Sequence, residues 1–301
     1  MDQMLTVFVA VAERGNFTRA AEEMHMTQPA VSQYIQTLER TLGTKLLDRS
    51  NKYVRLNKAG EIVYHHAREI LGLYTRMQGL VDDLMHTASG NLNIGASYTF
   101  GEYVLPRLIA HLRKQFPRIQ PSITIGNTKE IAELVAGHEL DLGVVEGEFS
   151  HEKLEIGHLA EDSMVVIVSA GHPLSRQARW TVKDLSEETW IIREKGSGTR
   201  EAAEKMFAEF QFYPASIMEF GSTQIIKESV EAGIGISLLS SWAIRKELSL
   251  GTLRTIQIEG LPFVRKFSVI KQAAPFQTKA MEIFMEILRD HAAQTENEGS
   301  R

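Results

Sequence analysis

The stretch that decides the fold is Phe17–Gly60, FTRAAEEMHMTQPAVSQYIQTLERTLGTKLLDRSNKYVRLNKAG. Its pattern indicates two short helices around a tight turn, followed by a basic hairpin. The turn His25–Thr27 ends at a residue that can cap a helix, and Pro29 stands in the first turn of that helix, where a missing N–H costs no hydrogen bond. This order predicts a winged helix-turn-helix, which is a DNA-binding unit.

Three helices are expected in this unit. A scaffold helix is predicted over about Asp2–Glu13, because its apolar side chains repeat at the spacing of one buried face. The second helix should begin near Phe17, with Thr18 placed to cap it. The third should begin at Gln28, and it carries an apolar stripe that would pack inward: Val31, Ile35, Leu38 and Leu42.

The outward face of the third helix is polar. Such a face usually contacts solvent, but in a helix-turn-helix the start of the second motif helix meets base edges, and glutamine can pair bidentately with adenine. After Gly43 an alternating segment predicts a two-stranded wing with Ser50–Lys52 as its turn. The predicted DNA-binding residues are Thr27, Gln28, Pro29, Ser32, Gln33, Gln36, Arg49, Lys52 and Arg55.

Charge is divided unevenly along the chain. Residues 1–60 carry a net charge of +2 and residues 61–301 a net charge of −7. A chain with a pI near 6.1 is not a general polyanion binder, so contact with nucleic acid should be confined to the N-terminal end.

A long helix should follow, capped by Asn57 and reaching about His86. Apolar residues recur in it every seven positions, which favours a coiled-coil seam between two chains, although the same stripe could pack on its own domain. Residues 87–90, Thr-Ala-Ser-Gly, indicate a break between domains. The predicted seam is Val63, Ile70, Met77 and Leu84, with His66, Leu73 and Leu80 offset by three.

The remaining 210 residues or so alternate short Val/Ile-rich runs with helical stretches. This alternation predicts an α/β architecture with mainly parallel strands. In such folds ligands lie beyond the carboxyl ends of strands, often against helix N-termini. Three places fit: residues 97–99 after the first run, residues 127–128 after the second, and the glycine-rich GSGTR at 196–200.

Several N-terminal motifs together resemble the LysR family of transcriptional regulators. They are F-T-x-A-A, T-Q-P-A-V-S, L-E-x-x-L-G, L-L-D-R and L-N-K-A-G, and Leu47 departs from the phenylalanine more usual in the family. The resemblance implies a winged helix-turn-helix at 1–58, a linker and dimerisation helix at 59–88, and an effector-binding domain at 89–301. That domain would have two Rossmann-like lobes of periplasmic-binding-protein type, one at about 91–162 and 268–292 and the other at about 163–267.

The resemblance also implies where a small effector binds. Each serine or threonine near a helix start could simply cap that helix, but the two glycines and the arginine of GSGTR favour a binding role. The sequence of this segment is similar to that of the branch containing CysL-like and CbbR-like regulators. This similarity implies a small anionic effector such as a sulfur oxyanion. The predicted effector-binding residues are Ser97, Thr99, Thr128, Ser197, Thr199, Arg200 and Ser222.

Several function classes are excluded by what the sequence lacks. Without cysteine there are no disulfides, thiolate catalysis or Cys-built zinc sites, and the adjacent His65 and His66 should point to different sides of a helix, so no metal site is expected. Neither a GxSxG elbow nor a complete phosphate-binding loop occurs, so no enzyme activity and no cofactor are expected. With no apolar leader and no run approaching ~20 apolar residues, a cytoplasmic protein without membrane contact is predicted.

The predicted protein is a ligand-responsive transcription regulator. Its expected partners are a double-stranded DNA operator, a small anionic metabolite, further copies of itself in a homodimer or homotetramer, and RNA polymerase. The alternative is a sensor that resembles a solute-binding protein and does not read an operator, but this would leave the N-terminal 60 residues without a purpose.

Overall fold

The computed structural model describes residues 2–49, 53–85, 89–176, 182–256 and 261–299. The chain divides into two compact units. One is Met1–Leu84 with Gly137–Glu139, and the other is Met85–Ala136 with Leu140–Arg301. No helix among the described residues is both long and apolar enough to cross a membrane.

The first unit begins with three helices around one apolar core: α1 (Asp2–Arg14), α2 (Phe17–Glu23) and α3 (Gln28–Leu42). The expected cap of α2 is wrong by two residues. The Asn16 side chain, rather than that of Thr18, accepts hydrogen bonds at the start of this helix, because it lies one position before the first helical residue.

The ends of α3 follow the sequence pattern. The Thr27 hydroxyl accepts a hydrogen bond from the Ala30 N–H at 3.4 Å, which confirms it as the N-cap. Gly43 ends the helix in the left-handed conformation, at φ 71°, where a glycine carries no steric penalty. The chain therefore leaves α3 sharply and turns into the wing.

The wing consists of β1 (Leu47–Arg49) paired antiparallel with β2 (Val54–Leu56). The expected turn at residues 50–52 lies outside the described residues. Glu39 of α3, only 4% exposed, fixes the start of the wing: it accepts hydrogen bonds from the Leu46 N–H and from Lys45 Nζ, both at 3.0 Å. A buried carboxylate thus ties α3 to the wing.

The long helix α4 (Lys58–Met85) follows, and Asn57 caps it by accepting the Gly60 N–H at 2.9 Å. Pairing of this helix with a second chain stays a prediction, but one residue of the predicted seam is wrong. Val63 packs on the core of its own unit, because it faces the three-helix bundle. The side chain of Leu84 lies outside the described part of the helix. The large apolar side chains that α4 leaves exposed, all at least 41% accessible, are Ile62, Ile70, Leu73, Tyr74, Met77 and Val81.

The second unit is an α/β structure with nine strands and seven α-helices in the described ranges. Its strands are β3 (Gly90–Ser97), β4 (Ile119–Gly126), β5 (Leu142–Glu146), β6 (Leu154–Ser169), β7 (Thr189–Arg193), β8 (Ser216–Phe220), β9 (Ser237–Ser240), β10 (Leu253–Thr255) and β11 (Phe263–Gln272). Its helices are α5 (Tyr98–Tyr103), α6 (Leu105–Gln115), α7 (Thr128–Ala136), α8 (Gly198–Glu209), α9 (Thr223–Glu231), α10 (Arg245–Leu250) and α11 (Lys279–Gly299).

Two long strands run through both halves of this unit. The order in its main sheet is β10-β6-β11-β5-β3-β4, with β9 also paired to β6. Strands β3, β4 and β5 run parallel at one end, whereas β9 and β10 pair with the far end of β6, beside the parallel pair β7-β8. The α/β fold of two lobes joined by crossing strands is therefore confirmed.

The expectation of mainly parallel strands is wrong, because the sheet is mixed. Strand β11 runs antiparallel to both β5 and β6, and β6 runs antiparallel to β9 and β10. The cause is the connection between the lobes: β6 leaves the first lobe and β11 returns to it, so the two run in opposite directions side by side. The exact lobe boundaries, and those of the linker, stay predictions.

A close contact in the first unit gives a stability test. A Cβ added at Gly60 would lie 2.0 Å from the Leu46 carbonyl oxygen. We expect Gly60→Ala to lower the free energy of unfolding by about 1–3 kcal/mol, although alanine in an open helix position would raise it by about 1 kcal/mol. Urea unfolding followed by circular dichroism measures the change. The exposed Gln78→Ala in the same helix is the control, and a stabilised Gly60→Ala would contradict the contact.

Candidate DNA-binding and effector sites

The outer face of α3 presents polar side chains to solvent. Gln28, Gln33 and Gln36 are exposed, and Ser32 is half-buried. Gln28 Nε2 donates a hydrogen bond to Ser32 Oγ at 2.9 Å, so these two side chains hold each other in place one turn apart. Pro29 is exposed in the first turn. The structure thus leaves the predicted α3 residues accessible from the first turn to the middle of the helix.

The wing contributes fewer described side chains. Arg55 is exposed, and its guanidinium carbon lies 4.8 Å from the centre of the Tyr53 ring, a cation–π contact. The predicted Lys52 and the side chain of Arg49 lie outside the described part of the chain. Only Arg55 of the three predicted basic wing residues can therefore be placed.

Three of the predicted effector residues meet at Glu146, the last residue of β5. The Thr99 N–H donates to Glu146 Oε1 at 2.8 Å, and the Thr199 hydroxyl donates to Oε2 at 3.2 Å. The Thr128 hydroxyl donates instead to the Glu146 carbonyl oxygen at 3.0 Å. A carboxylate of the protein itself therefore lies where these side chains converge.

Arg265 of β11 joins the same group, and the sequence analysis missed it. Its Nη1 donates to Glu146 Oε2 at 2.6 Å and to Thr199 Oγ1 at 2.9 Å, and its Nη2 donates to Thr99 Oγ1 at 2.9 Å. Its Nε donates to Asp162 Oδ2 of β6 at 2.7 Å. These five residues, Arg265, Glu146, Asp162, Thr99 and Thr199, form what we call the Arg265 cluster, and each is at most 5% exposed.

The cluster perturbs both of its carboxylates. Burial by itself would raise the pKa of Glu146, but the adjacent Arg265 and the Thr99 hydrogen bonds outweigh burial and hold that pKa below its ordinary value. Burial raises the pKa of Asp162 more than Arg265 lowers it, so the net shift is upward. Glu146 is therefore the more firmly ionised of the two, and Arg265 is charged beside it.

An open cavity of about 380 Å³ has none of the five cluster residues in its lining, but it reaches Thr128, whose hydroxyl donates to the Glu146 carbonyl oxygen. Predicted residues Thr128, Ser197 and Arg200 line it. Ser197 is at the same time the N-cap of α8, since its hydroxyl accepts the Thr199 N–H at 3.2 Å. The cavity is further lined by Lys129, Glu148, Phe149, Lys195, Gly196, Glu201 and Glu204.

The charges around this cavity are unequally satisfied. Arg200 bonds to Glu204 at 2.7 Å and also to Glu219, and Glu148 bonds to Lys205 at 2.7 Å. Lys195 is exposed and has no ion-pair partner within 4 Å among the described residues. Its ammonium group is thus the cation of this cavity most available to an anion.

The last two predicted effector residues have different surroundings. Ser222 caps α9, because its hydroxyl accepts the Ile225 N–H at 3.4 Å. The Ser97 hydroxyl, in a residue 2% exposed, makes no hydrogen bond of acceptable geometry with the described residues, although it lies close enough to Glu146 to lower that group's pKa. Ser97 therefore places a buried hydroxyl beside the cluster.

The expectation that His65 and His66 point to different sides of the helix is wrong. His65 and His66 do not point apart: Nε2 of His65 lies 3.6 Å and Nδ1 of His66 2.9 Å from oxygens of the same Glu69 carboxylate. The two rings can converge because their side chains bend along the helix surface toward the next turn. Both histidines are exposed, and Nδ1 of His66 lies within hydrogen-bond distance of Glu69.

Comparison with known proteins places the chain in a family. A family model described as "LysR substrate binding domain" matches residues 86–293, and one described as "Bacterial regulatory helix-turn-helix protein, lysR family" matches residues 3–61. The chain belongs to the LysR family. It is a DNA-binding transcriptional regulator with an effector-binding domain, and the match at residues 3–61 removes the alternative of a sensor without an operator-reading unit.

Similar proteins support the same assignment over nearly the whole chain. The HTH-type transcriptional regulator CysL of Bacillus subtilis is 37% identical over 288 residues, which cover 96% of each protein. The solved structure of CbnR, a LysR family transcriptional regulator, covers 97% of this chain and 99% of its own at a TM-score of 0.75, with 22% identity. The regulatory domain of CcmR from Synechocystis, solved in complex with 2-PG, covers 68% of this chain and 98% of its own at 28% identity and a TM-score of 0.63.

The relatives named above are described as transcriptional regulators, and the CcmR regulatory domain was solved with 2-PG bound. The residues that sequence reasoning missed are mostly charged: Glu146, Asp162, Lys195 and Arg265. Only Lys195 had a local signal, since it directly precedes GSGTR. The others lie in strands and meet only through long-range pairing.

The Arg265 cluster should be essential for the stability of this LysR-type domain. Arg265→Met would leave Glu146 and Asp162 buried without their cation, so we expect the free energy of unfolding to fall by about 3–5 kcal/mol. Urea unfolding measures it. The control is Lys266→Met, since that neighbour on β11 is exposed. Equal, small effects of the two substitutions would show that the cluster contributes little.

Proposed function

We propose that this regulator responds to a small anion bound in the cavity beside the Arg265 cluster. The observation that carries the proposal is the exposed Lys195 ammonium group, which has no ion-pair partner within the described ranges and lies at a glycine-rich loop whose backbone a ligand can approach closely. The Ser197 and Thr128 side chains supply polar atoms along the same wall. The complex of CcmR with 2-PG supports the same class of effector.

The effector would act by changing the relation between the two lobes. Cavity residues come from both sides of the crossing strands: Thr128 and Lys129 follow β4, whereas Lys195 and Ser197 follow β7. A ligand held by both sides favours the lobe arrangement in which all its contacts form. It shifts the equilibrium only by its differential affinity for the two arrangements.

The DNA-binding role is assigned to the outer face of α3 and to the wing. Gln28, Ser32 and Gln33 would meet base edges in the major groove, and Arg55 would contact phosphate. The exposed apolar stripe of α4 would join two chains, so that paired units meet half-sites about one DNA turn apart or at multiples of it. The regulator would form a dimer or tetramer in the cytoplasm, act on transcription through RNA polymerase, and catalyse no reaction of its own.

The α3 assignment can be tested at one operator step. Because a bidentate contact to a base contributes about 1–3 kcal/mol of discrimination, we expect Gln33→Ala to weaken operator binding by that amount and to leave binding to random duplex unchanged. Gel-shift titration against both DNAs at fixed salt measures it. Gln115→Ala, at the exposed end of α6, should change neither. Equal losses on operator and random DNA would contradict a base-contacting role.

The cavity assignment is tested at Lys195. A hydrogen bond from a charged group contributes about 1.5–3 kcal/mol, so Lys195→Gln should weaken anion binding by roughly ten- to a hundredfold while operator binding without effector is unchanged. Isothermal titration with sulfate, inorganic phosphate and 2-PG at constant ionic strength measures it. The matched control is Lys246→Gln, an exposed lysine on α10. If both variants bind as the unaltered protein does, the cavity is not the effector site.

A further inference from the structure

The Glu146 carboxylate fills the position that an anionic ligand would be expected to take. It accepts the Thr99 N–H at 2.8 Å, the Thr199 hydroxyl at 3.2 Å and the Arg265 guanidinium at 2.6 Å. These donors come from the starts of two helices in different lobes and from a crossing strand. A main-chain amide, a hydroxyl and a guanidinium converging from three elements form an anion-binding group, and the protein supplies the anion itself.

Charge prevents a second anion from joining this group while Glu146 stays. The Arg265 cluster already holds two carboxylates against one guanidinium, and all three groups are buried. A further negative charge there would be repelled by the Glu146 and Asp162 carboxylates, and only the Arg265 guanidinium would attract it. Burying a charge under these conditions is costly because the charge loses its hydration. An anion can reach the Thr99, Thr199 and Arg265 donors only if one carboxylate leaves.

Glu146 is the carboxylate that can leave. Asp162 has a partner outside the shared donors, because the Ser240 hydroxyl donates to its Oδ1 at 2.7 Å while Arg265 Nε holds Oδ2. Glu146 has as its described side-chain partners only the donors that a ligand would use. Asp162 can therefore keep Arg265 charged and in place after Glu146 has turned away.

When Glu146 turns away from these donors, only its side chain would move, because its main chain is held in place. The Thr128 hydroxyl donates to its carbonyl oxygen at 3.0 Å, and α8 packs so closely that a Cβ at Gly198 would lie 2.3 Å from that oxygen. Beside the carboxylate, the buried Ser97 hydroxyl has no hydrogen-bond partner of acceptable geometry in the described chain. It offers a further donor to an incoming group with more oxygens than a carboxylate has.

We propose that Glu146 is a specificity-determining residue that acts as a tethered competitor: the acidic group of an anionic effector must displace its carboxylate from Thr99, Thr199 and Arg265. This inference rests on the proposed function. The ligand class it selects is an anion with at least two acceptor oxygens on one centre, such as a carboxylate, sulfate or phosphate group. Apparent affinity is reduced by the fraction of molecules in which Glu146 leaves the donors open, so this residue sets the effector concentration at which the regulator responds.

The test compares two charge-neutralising variants of the full-length protein. Titration calorimetry with sulfate, inorganic phosphate and 2-PG is performed on the unaltered protein, on Glu146→Gln and on Glu282→Gln. Glu282, in the first turn of α11, is exposed, is paired with Lys279 at 2.9 Å and is not part of the cavity lining. Displacement predicts that Glu146→Gln binds at least one of the anions roughly tenfold tighter or more, because a neutral amide competes less well. Glu282→Gln should change the affinity by less than about threefold, since an exposed, paired charge acts weakly.

Each outcome decides the inference. If Glu146→Gln binds no tighter than the unaltered protein, or if Glu282→Gln tightens binding equally, Glu146 is not a competitor. Anion binding that Lys195→Gln weakens but Glu146→Gln leaves unchanged would overturn displacement alone and leave the proposed function intact. Absence of anion binding in the unaltered protein and in all variants would overturn both.

If circular dichroism shows that Glu146→Gln does not fold, a second variant, Glu146→Asp, tests the inference. Glu146→Asp keeps the charge but withdraws the carboxylate by one methylene group from Thr99, Thr199 and Arg265. Tighter anion binding than in the unaltered protein is expected, because a shorter tether holds the donors less well. Equal or weaker binding would overturn the inference.

Discussion

The second unit depends on the buried guanidinium of Arg265. Arg265 lies on a strand that crosses between the lobes, pairs with Asp162 on the other crossing strand, and reaches Glu146 and two threonines that begin helices in different lobes. Removing either sign of charge leaves the other desolvated without compensation. The lobes are therefore joined by an ionic network whose members need one another, in addition to their apolar cores.

Such a network suits a switch better than an apolar junction would. Apolar contacts are non-directional and tolerate small displacements, whereas hydrogen bonds at 2.6–2.9 Å weaken steeply with angle and distance. An arrangement that satisfies Arg265, Glu146 and Asp162 is thus separated from other satisfied arrangements by states with unpaired buried charges. Two discrete lobe arrangements, rather than a continuum, are what a ligand with differential affinity requires.

The sequence predicted features that depend on near neighbours. The cap at Thr27, the left-handed Gly43 and the strand-then-helix order of the second unit all follow from short-range chemistry. The mixed sheet was missed, because the antiparallel pairing of β11 with β5 and β6 joins segments far apart in the chain, and the short β9 and β10 have no alternating pattern of their own. Arg265 was missed since a charged residue on a strand usually faces solvent. Its partner Glu146 is 119 positions away, and no local pattern connects the two.

The crossing strands have a consequence for how such regulators diversify. Strand β6 and strand β11 are paired along ten residues of β11, with one irregularity between Phe267 and Ser268, and the loops that line the cavity lie outside this ladder. The cavity wall is thereby built by loops and helix starts, whereas Arg265 and Asp162 belong to the ladder itself. Wall residues can be exchanged without altering the strand pairing, so a biosensor with altered selectivity is best sought by recombining them on unaltered crossing strands.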